Sequence, residues 1–262
     1  MALRRVTLPE FLQHSNAGAP DLLPLVHTTQ GHNLFDIINA RRLVATDCDV
    51  FEGEKLCYMF LGRPAYKVRP SDDPLYWELP IAFVTKFPTV PQPKRVFPFD
   101  SGAFRRSLLP RSITAFPIEN FNMSGDNSLI SRFIAVFYGS NEAFYKGKAY
   151  STDRIREEHI IGVEHMEVEA AISLHQGRLT GAFDDRAKSI ELQYSEDIEF
   201  RQGDLLAIIL PEQYRQSLEL DAAMRDMSCE VRYYDTYPLR VDAYYAQIYD
   251  ITNKIIKKYA DD

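Results

Sequence analysis

Short apolar runs separated by polar turns fill the N-terminal third of the chain, a pattern that predicts strands joined by helices and loops. Strands are expected over residues 25–28, 55–60 and 79–87, and a helix is expected after Asn33, which can cap it. Polar side chains stand at the ends of these apolar runs. A core strand does not require them there, whereas a ligand cleft does.

The C-terminal half continues with mixed elements. Helical spacing of apolar residues ends at Gly139, residues 151–174 fit either a helix or a strand, and alternation predicts a strand over 189–194 with one polar, half-exposed face. A continuous apolar run at 205–210 indicates a buried strand, followed by a helix over 212–227, a strand near 229–233 and a final helix. This order predicts an α+β fold with a split core of two mainly antiparallel sheets and flanking helices, in a single domain over 1–262.

Residues 88–126 break the pattern because prolines punctuate them, yet their phenylalanines require burial. We interpret this segment as a long ordered excursion that lines or covers a site, and not as a domain boundary. Its basic side chains are expected to border the same cleft: Lys94, Arg95, Arg105, Arg106 and Arg111.

Composition narrows the classes of function. The chain has 262 residues, 45% hydrophobic and 26% charged, with a formal net charge of -7, which disfavours broad binding to nucleic acids or acidic membranes. No apolar run is long enough to span a bilayer. Three cysteines without paired spacing fit a reducing cytoplasm, and the histidines show no metal-binding spacing, so we expect no metal. Rossmann and P-loop motifs are also absent from the sequence.

Five residues near the first two strands are candidates for ligand binding. His27 can bond a ribose hydroxyl through one ring nitrogen while the backbone fixes the other, with Thr28 beside it. Tyr58 and Tyr66 offer faces on which a planar cationic ring can stack, and Arg63 offers donors to a phosphate or carboxylate. The alternatives are a structural histidine, tyrosines packed on the sheet and a solvated arginine.

Glu191, on the polar side of the strand over 189–194, is the candidate catalytic carboxylate because a strand holds it rigidly. Such a group stabilises the positive charge that develops as a glycosidic bond breaks. Glu169 is the second choice, and a solvated surface glutamate is the alternative for both residues.

The succession of His27-Thr28 on a strand, a helix, tyrosines on the next strand and a later glutamate resembles the H-Y-E class of ADP-ribosyltransferases, the diphtheria-toxin and PARP-like group with its toxin and phage-defence relatives. The resemblance implies a split two-sheet fold that takes NAD as a substrate without a metal. It implies that His27 holds the nicotinamide ribose, that Tyr58 and Tyr66 enclose the nicotinamide, and that Glu191 is catalytic.

The expected function is therefore NAD-dependent ADP-ribosyl transfer to a protein or nucleic acid in the cytoplasm, as a toxin or an antiviral defence effector, or NAD hydrolysis. The alternative is a non-catalytic protein- or nucleic-acid-binding module that uses the aromatic residues of 88–121. A hydrolase using Glu164, Glu167 and Glu169 is the third interpretation.

Overall fold

The computed structural model describes residues 4–18, 20–68, 71–87, 91–177, 185–237 and 243–260. The chain forms two compact units, and it passes between them several times. The first unit comprises Met1–Leu22, Asp49–Glu52 and Pro93–Gln193, and the second comprises Leu23–Cys48, Gly53–Gln92 and Tyr194–Asp262.

The described strands, in chain order, are β1 (Leu25–Gln30), β2 (Arg42–Leu43), β3 (Thr46–Asp47), β4 (Lys55–Leu61), β5 (Pro80–Thr85), β6 (Arg95–Phe97), β7 (Glu191–Tyr194), β8 (Ile198–Glu199), β9 (Leu205–Pro211) and β10 (Glu230–Tyr234). The α-helices are α1 (Leu8–Gln13), α2 (Leu34–Ala40), α3 (Ser101–Arg105), α4 (Arg111–Thr114), α5 (Ser128–Tyr138), α6 (Asn141–Tyr145), α7 (Thr152–Glu158), α8 (Met166–Gln176), α9 (Leu218–Asp226) and α10 (Ala243–Ala260). Short 3₁₀ turns occupy Gly31–Asn33, Tyr76–Glu78, Ile118–Phe121, Arg186–Lys188 and Glu212–Gln216.

The second unit is built on a mainly antiparallel sheet with the strand order β10-β9-β5-β1-β4, to which β3 adds by pairing with β4. Only the β9–β10 pair is parallel in this series. A second, small sheet consists of β2 and β8. The coarse prediction of an α+β protein with a mainly antiparallel sheet and flanking helices is confirmed.

The middle strands of this sheet are buried on both faces, which explains their nearly continuous apolar sequences. On one face Val26, Ala82 and Ile209 pack in a single cluster with Tyr245 and Ile248 of α10. Small residues on β5 and β9 allow α10 to approach the sheet. The burial of α10 against the sheet removes a large apolar area from water.

The first unit combines helices with the antiparallel β6–β7 pair, in which Phe97 lies opposite Glu191. The predicted helix end at Gly139 is confirmed: α5 stops there with φ 79°, and an added Cβ would overlap the ring of Tyr150. The segment 151–174 resolves into α7 and α8, so the helical interpretation of its second half is correct.

Two expectations for the first unit are revised. The strand over 189–194 has no half-exposed face, since Ser189, Glu191 and Gln193 are all buried. Within the 88–126 excursion, of which 88–90 lie outside the described residues, Phe97 and Phe121 are core residues. That segment therefore contributes β6, α3 and α4 to the unit and does not present its aromatic rings as one open surface.

Two further features complete the comparison with the sequence. The helix expected over 212–227 is interrupted at Ser217, whose hydroxyl caps α9. Among the described helices, none is both long enough and apolar enough to cross a membrane.

Candidate functional site

His27 lies on β1 at the point where this strand and β4 separate. The two strands pair only at Leu25 with Leu61 and at Val26 with Phe60. At the next position a side chain replaces the backbone pairing: Nδ1 of the His27 ring lies 2.8 Å from the backbone carbonyl oxygen of Tyr58. The prediction that backbone fixes one ring nitrogen is confirmed.

This bond determines the tautomer of the ring. A carbonyl oxygen only accepts, so Nδ1 carries the proton. Burial lowers the pKa of His27, and the bond to the Tyr58 carbonyl opposes that effect only in part. The imidazole is therefore neutral near neutral pH, and Nε2 presents a lone pair. Because Nε2 makes no hydrogen bond to the described residues, it can accept a bond from a ligand hydroxyl.

Thr28 and Tyr58 point away from His27. Alternation along β1 puts Thr28 on the face of Val26, and the Val26–Phe60 pairing puts Tyr58 on that face too. The Thr28 side chain is buried, and its Oγ1 has no partner within the described ranges. The Tyr58 hydroxyl lies 2.7 Å from the Sγ of Cys48. Because the Tyr58 ring lies on the face opposite His27, it is not placed to enclose, together with Tyr66, a nicotinamide whose ribose His27 holds.

Arg63 and Tyr66 follow the end of β4 and differ sharply in exposure. Gly62 takes φ 64°, and its N–H donates to the Pro24 carbonyl at 2.8 Å, which turns the chain. Arg63 is 3% exposed, so the alternative of a solvated arginine is wrong, whereas Tyr66 is 52% exposed and available to a planar ligand. These residues, with His27, Thr28 and Tyr58, all belong to the second unit.

Glu191 belongs to the first unit and lies in a buried polar network. Its Oε2 accepts the backbone N–H of Ser101 at 3.1 Å, and its Oε1 accepts Nε2 of Gln193 at 2.6 Å. The same Nε2 lies 3.0 Å from the hydroxyl of Ser101. Both oxygens of the Glu191 carboxyl group thus accept a hydrogen bond, although Glu191 is only 2% exposed.

The amide of Gln193 is oriented by Arg95. Arg95 only donates, and its guanidinium reaches Oε1 of Gln193 at 3.3 Å, so the amide nitrogen faces Glu191. The guanidinium also lies 3.9 Å from the ring centre of Phe51, which stacks on Phe97. Arg95 and Phe51 therefore hold the outer part of the network through a cation–π contact.

The charge state of Glu191 follows from this environment. The pKa of Glu191 is raised to about 8: burial is the largest cause, the nearby Asp100 carboxylate also raises it, and the bonds from Ser101 and Gln193 act in the opposite direction. Asp100 is itself buried and caps α3 by accepting the N–H of Ala103 at 2.6 Å. The raised pKa means that Glu191 binds a proton more readily than a free glutamate does. Glu191 is therefore mainly protonated at neutral pH.

The rival carboxylate, Glu169, is engaged elsewhere. Arg156 donates to both of its oxygens, at 2.9 and 2.7 Å, on a partly exposed surface. This arrangement matches the surface alternative, and such exposed pairs contribute little to stability. Among the basic residues of the excursion, Arg106 pairs with Asp49 at 2.7 Å, while Arg105 and Arg111 are exposed.

The partners of Glu191 that the sequence did not single out are Asp100 and Ser101. The run Asp100-Ser101-Gly102 is a recognisable helix start, since aspartate is a favoured cap, but nothing in it indicates that Ser101 has a partner ninety positions later. Elsewhere in the first unit an open groove of about 870 Å³ is lined by Phe11, His14, His159 and others, and none of the predicted site residues lines it. Within the described residues, no group of His, Cys, Asp and Glu is arranged to hold a metal ion.

Comparison with known proteins gives no family. The chain matches no family model, and none of the curated proteins matches it.

We expect Glu191 to make unfolding free energy fall as pH rises. Its pKa is higher in the folded protein than in the unfolded chain, so folding retains a proton between the two values. The stabilisation is full below the unfolded pKa and is lost as pH rises through about 8. The slope can reach about 1.4 kcal/mol per pH unit.

Urea unfolding between about pH 5 and 8 measures this slope. Glu191→Gln should flatten it, because an amide does not titrate. Glu157→Gln, at an exposed glutamate of α7, is the matched control and should leave it unchanged. Equal slopes for the wild-type protein and Glu191→Gln would show that Glu191 is ionised in the folded state.

Proposed function

We propose that the protein acts on NAD, as an ADP-ribosyltransferase that modifies a protein or nucleic acid, or as an NAD glycohydrolase. The observation that carries the proposal is the neutral His27 ring, held by the Tyr58 carbonyl with its Nε2 lone pair available. A lone pair in that position suits a ribose hydroxyl, which donates, and does not suit a phosphate oxygen, which only accepts.

One further feature supports a nucleotide ligand in the second unit. Tyr66 is an exposed aromatic face that follows the β4 turn, and a nicotinamide ring is planar and cationic, so it can stack there. Thr28 is not part of this contact, because its buried side chain lies on the face of β1 opposite His27. In this proposal Tyr58 contributes its backbone carbonyl, which sets the tautomer of His27, and not its ring.

Glu191 is the residue that we propose for charge stabilisation when the glycosidic bond to nicotinamide breaks. A buried carboxyl with a strongly raised pKa beside a second carboxyl is typical of catalytic groups, although structural networks also produce such shifts. Only the ionised form can stabilise an oxocarbenium-like transition state. The bonds from Ser101 and Gln193 favour that form and fix its orientation.

The first test separates ligand binding by His27 from its structural bond. His27→Asn can keep an N–H near the position of Nδ1, and so the bond to Tyr58, but it has no equivalent of Nε2. Loss of one hydrogen bond should weaken NAD binding roughly tenfold in calorimetry. The melting temperature should change little.

His32→Ala is the control for this test, because His32 is an exposed histidine in the 3₁₀ turn that follows β1. It should bind NAD as the wild type does. Absence of both NAD binding and nicotinamide release in the wild-type protein would contradict the proposal.

The second test addresses Glu191 by kinetics. If the ionised carboxyl acts in the transition state, nicotinamide release by the wild-type protein should rise with pH through about 8. Glu191→Gln should reduce turnover roughly a hundredfold while NAD affinity changes much less. Glu169→Gln, at the surface pair with Arg156, should retain turnover. Full activity of Glu191→Gln would exclude a catalytic role for this residue.

A further inference from the structure

An exposed group of apolar side chains lies on the second unit, in two short segments of the chain. Its members are Phe35 at the start of α2 and three consecutive residues before β5: Leu75, Tyr76 and Trp77. Each is between 40% and 53% exposed. We refer to these four residues as the aromatic platform. Scattered exposed apolar residues are ordinary, whereas contiguous ones mark interaction surfaces.

The aromatic platform is held in place from beneath by Tyr214. The Tyr214 ring meets Tyr76 edge-on, with centroids 5.3 Å apart, and lies 6.5 Å from Phe35. Its hydroxyl donates to the Gly31 carbonyl at 3.2 Å. Trp77 meets Tyr76 edge-on at 5.0 Å. The rings therefore form a pre-arranged surface, and binding to it would cost little ordering entropy.

The charges around the aromatic platform are negative. Asp36 follows Phe35, Asp72 and Asp73 precede Leu75, and Glu78 follows Trp77. The stretches 31–40 and 71–79 contain no lysine or arginine. The carboxylates Asp36, Asp72 and Asp73 are exposed, whereas Glu78 accepts the N–H of Leu75 at 2.8 Å and helps to shape the turn.

Arg215 is the cation of the neighbouring 3₁₀ turn, and it lies over the ring of Tyr233, 4.8 Å from its centre. Aromatic faces bordered by carboxylates are unfavourable for nucleic acid, because the phosphates would be repelled. They suit a cation that can also stack.

We propose that the aromatic platform docks a basic, arginine-bearing segment of a partner protein. A guanidinium is planar and weakly hydrated, so it stacks on tyrosine and tryptophan rings while nearby carboxylates meet its charge. The acidic border would also speed encounter with such a segment and select against acidic partners. The aromatic platform includes neither His27 nor Glu191, so the inference does not depend on NAD.

The single tryptophan of the chain provides a direct readout, since Trp77 is part of the aromatic platform. A peptide of alternating glycine and arginine should change the fluorescence of Trp77 saturably, with binding that weakens as salt rises. A glycine–glutamate peptide of equal length should have no effect. Fluorescence polarisation of the labelled arginine peptide then gives affinities for variants that lack Trp77.

Trp77→Ala and Tyr76→Ala should each weaken arginine-peptide binding roughly tenfold or more. Asp36→Asn combined with Asp73→Asn should weaken it similarly and should fold normally, because both side chains are exposed. Val163→Ala, at an exposed apolar residue of the first unit, is the control and should bind as the wild type does.

Three results would overturn the proposal. The first is no saturable binding of the arginine peptide up to about 1 mM. The second is equal or tighter binding of the acidic peptide or of a thymidine oligonucleotide. The third is concentration-dependent self-association that Trp77→Ala abolishes, which would make a second copy of the chain the occupant.

Discussion

The separation of β1 from β4 is the constraint on which the second unit depends. Most of β4 and half of β1 are buried, yet the two strands pair at only two positions before they part. A buried carbonyl left without a donor costs about 1–3 kcal/mol. The Tyr58 carbonyl avoids this cost because His27 donates to it from the ring. A side chain thus completes the backbone pairing, and its second nitrogen is left for other chemistry.

A comparable constraint organises the polar part of the first unit. Glu191 lies opposite Phe97 in the β6–β7 pair. An isolated charge at this buried position would strongly destabilise the folded protein. The protein meets that cost by protonating the carboxyl and by giving each oxygen a donor. The donors also mean that ionisation, when it occurs, leaves the carboxylate held in a fixed orientation.

Local sequence signals predicted the parts of the fold that depend on local physics. Gly139 ends α5 because its backbone is left-handed, and the apolar run over 205–210 forms the buried strand β9. The backbone bond of His27 was also foreseen from its place at a strand end. The burial of Glu191 was not foreseen, because alternation shows that a strand has two faces and does not show that both are covered. Asp100 and Ser101 were missed for a related reason: contacts between residues about ninety positions apart leave no pattern in one sequence.

The tautomer of His27, observed with and without NAD, tests the account most directly. In protein with ¹⁵N-labelled histidine, two-bond nitrogen–proton correlations distinguish a protonated ring nitrogen from one with a lone pair. The account predicts a protonated Nδ1 and an unprotonated Nε2 at neutral pH, and a shift of the Nε2 resonance alone when NAD saturates the protein. A proton on Nε2 in the free protein, or an Nε2 resonance that does not respond to saturating NAD, would contradict it.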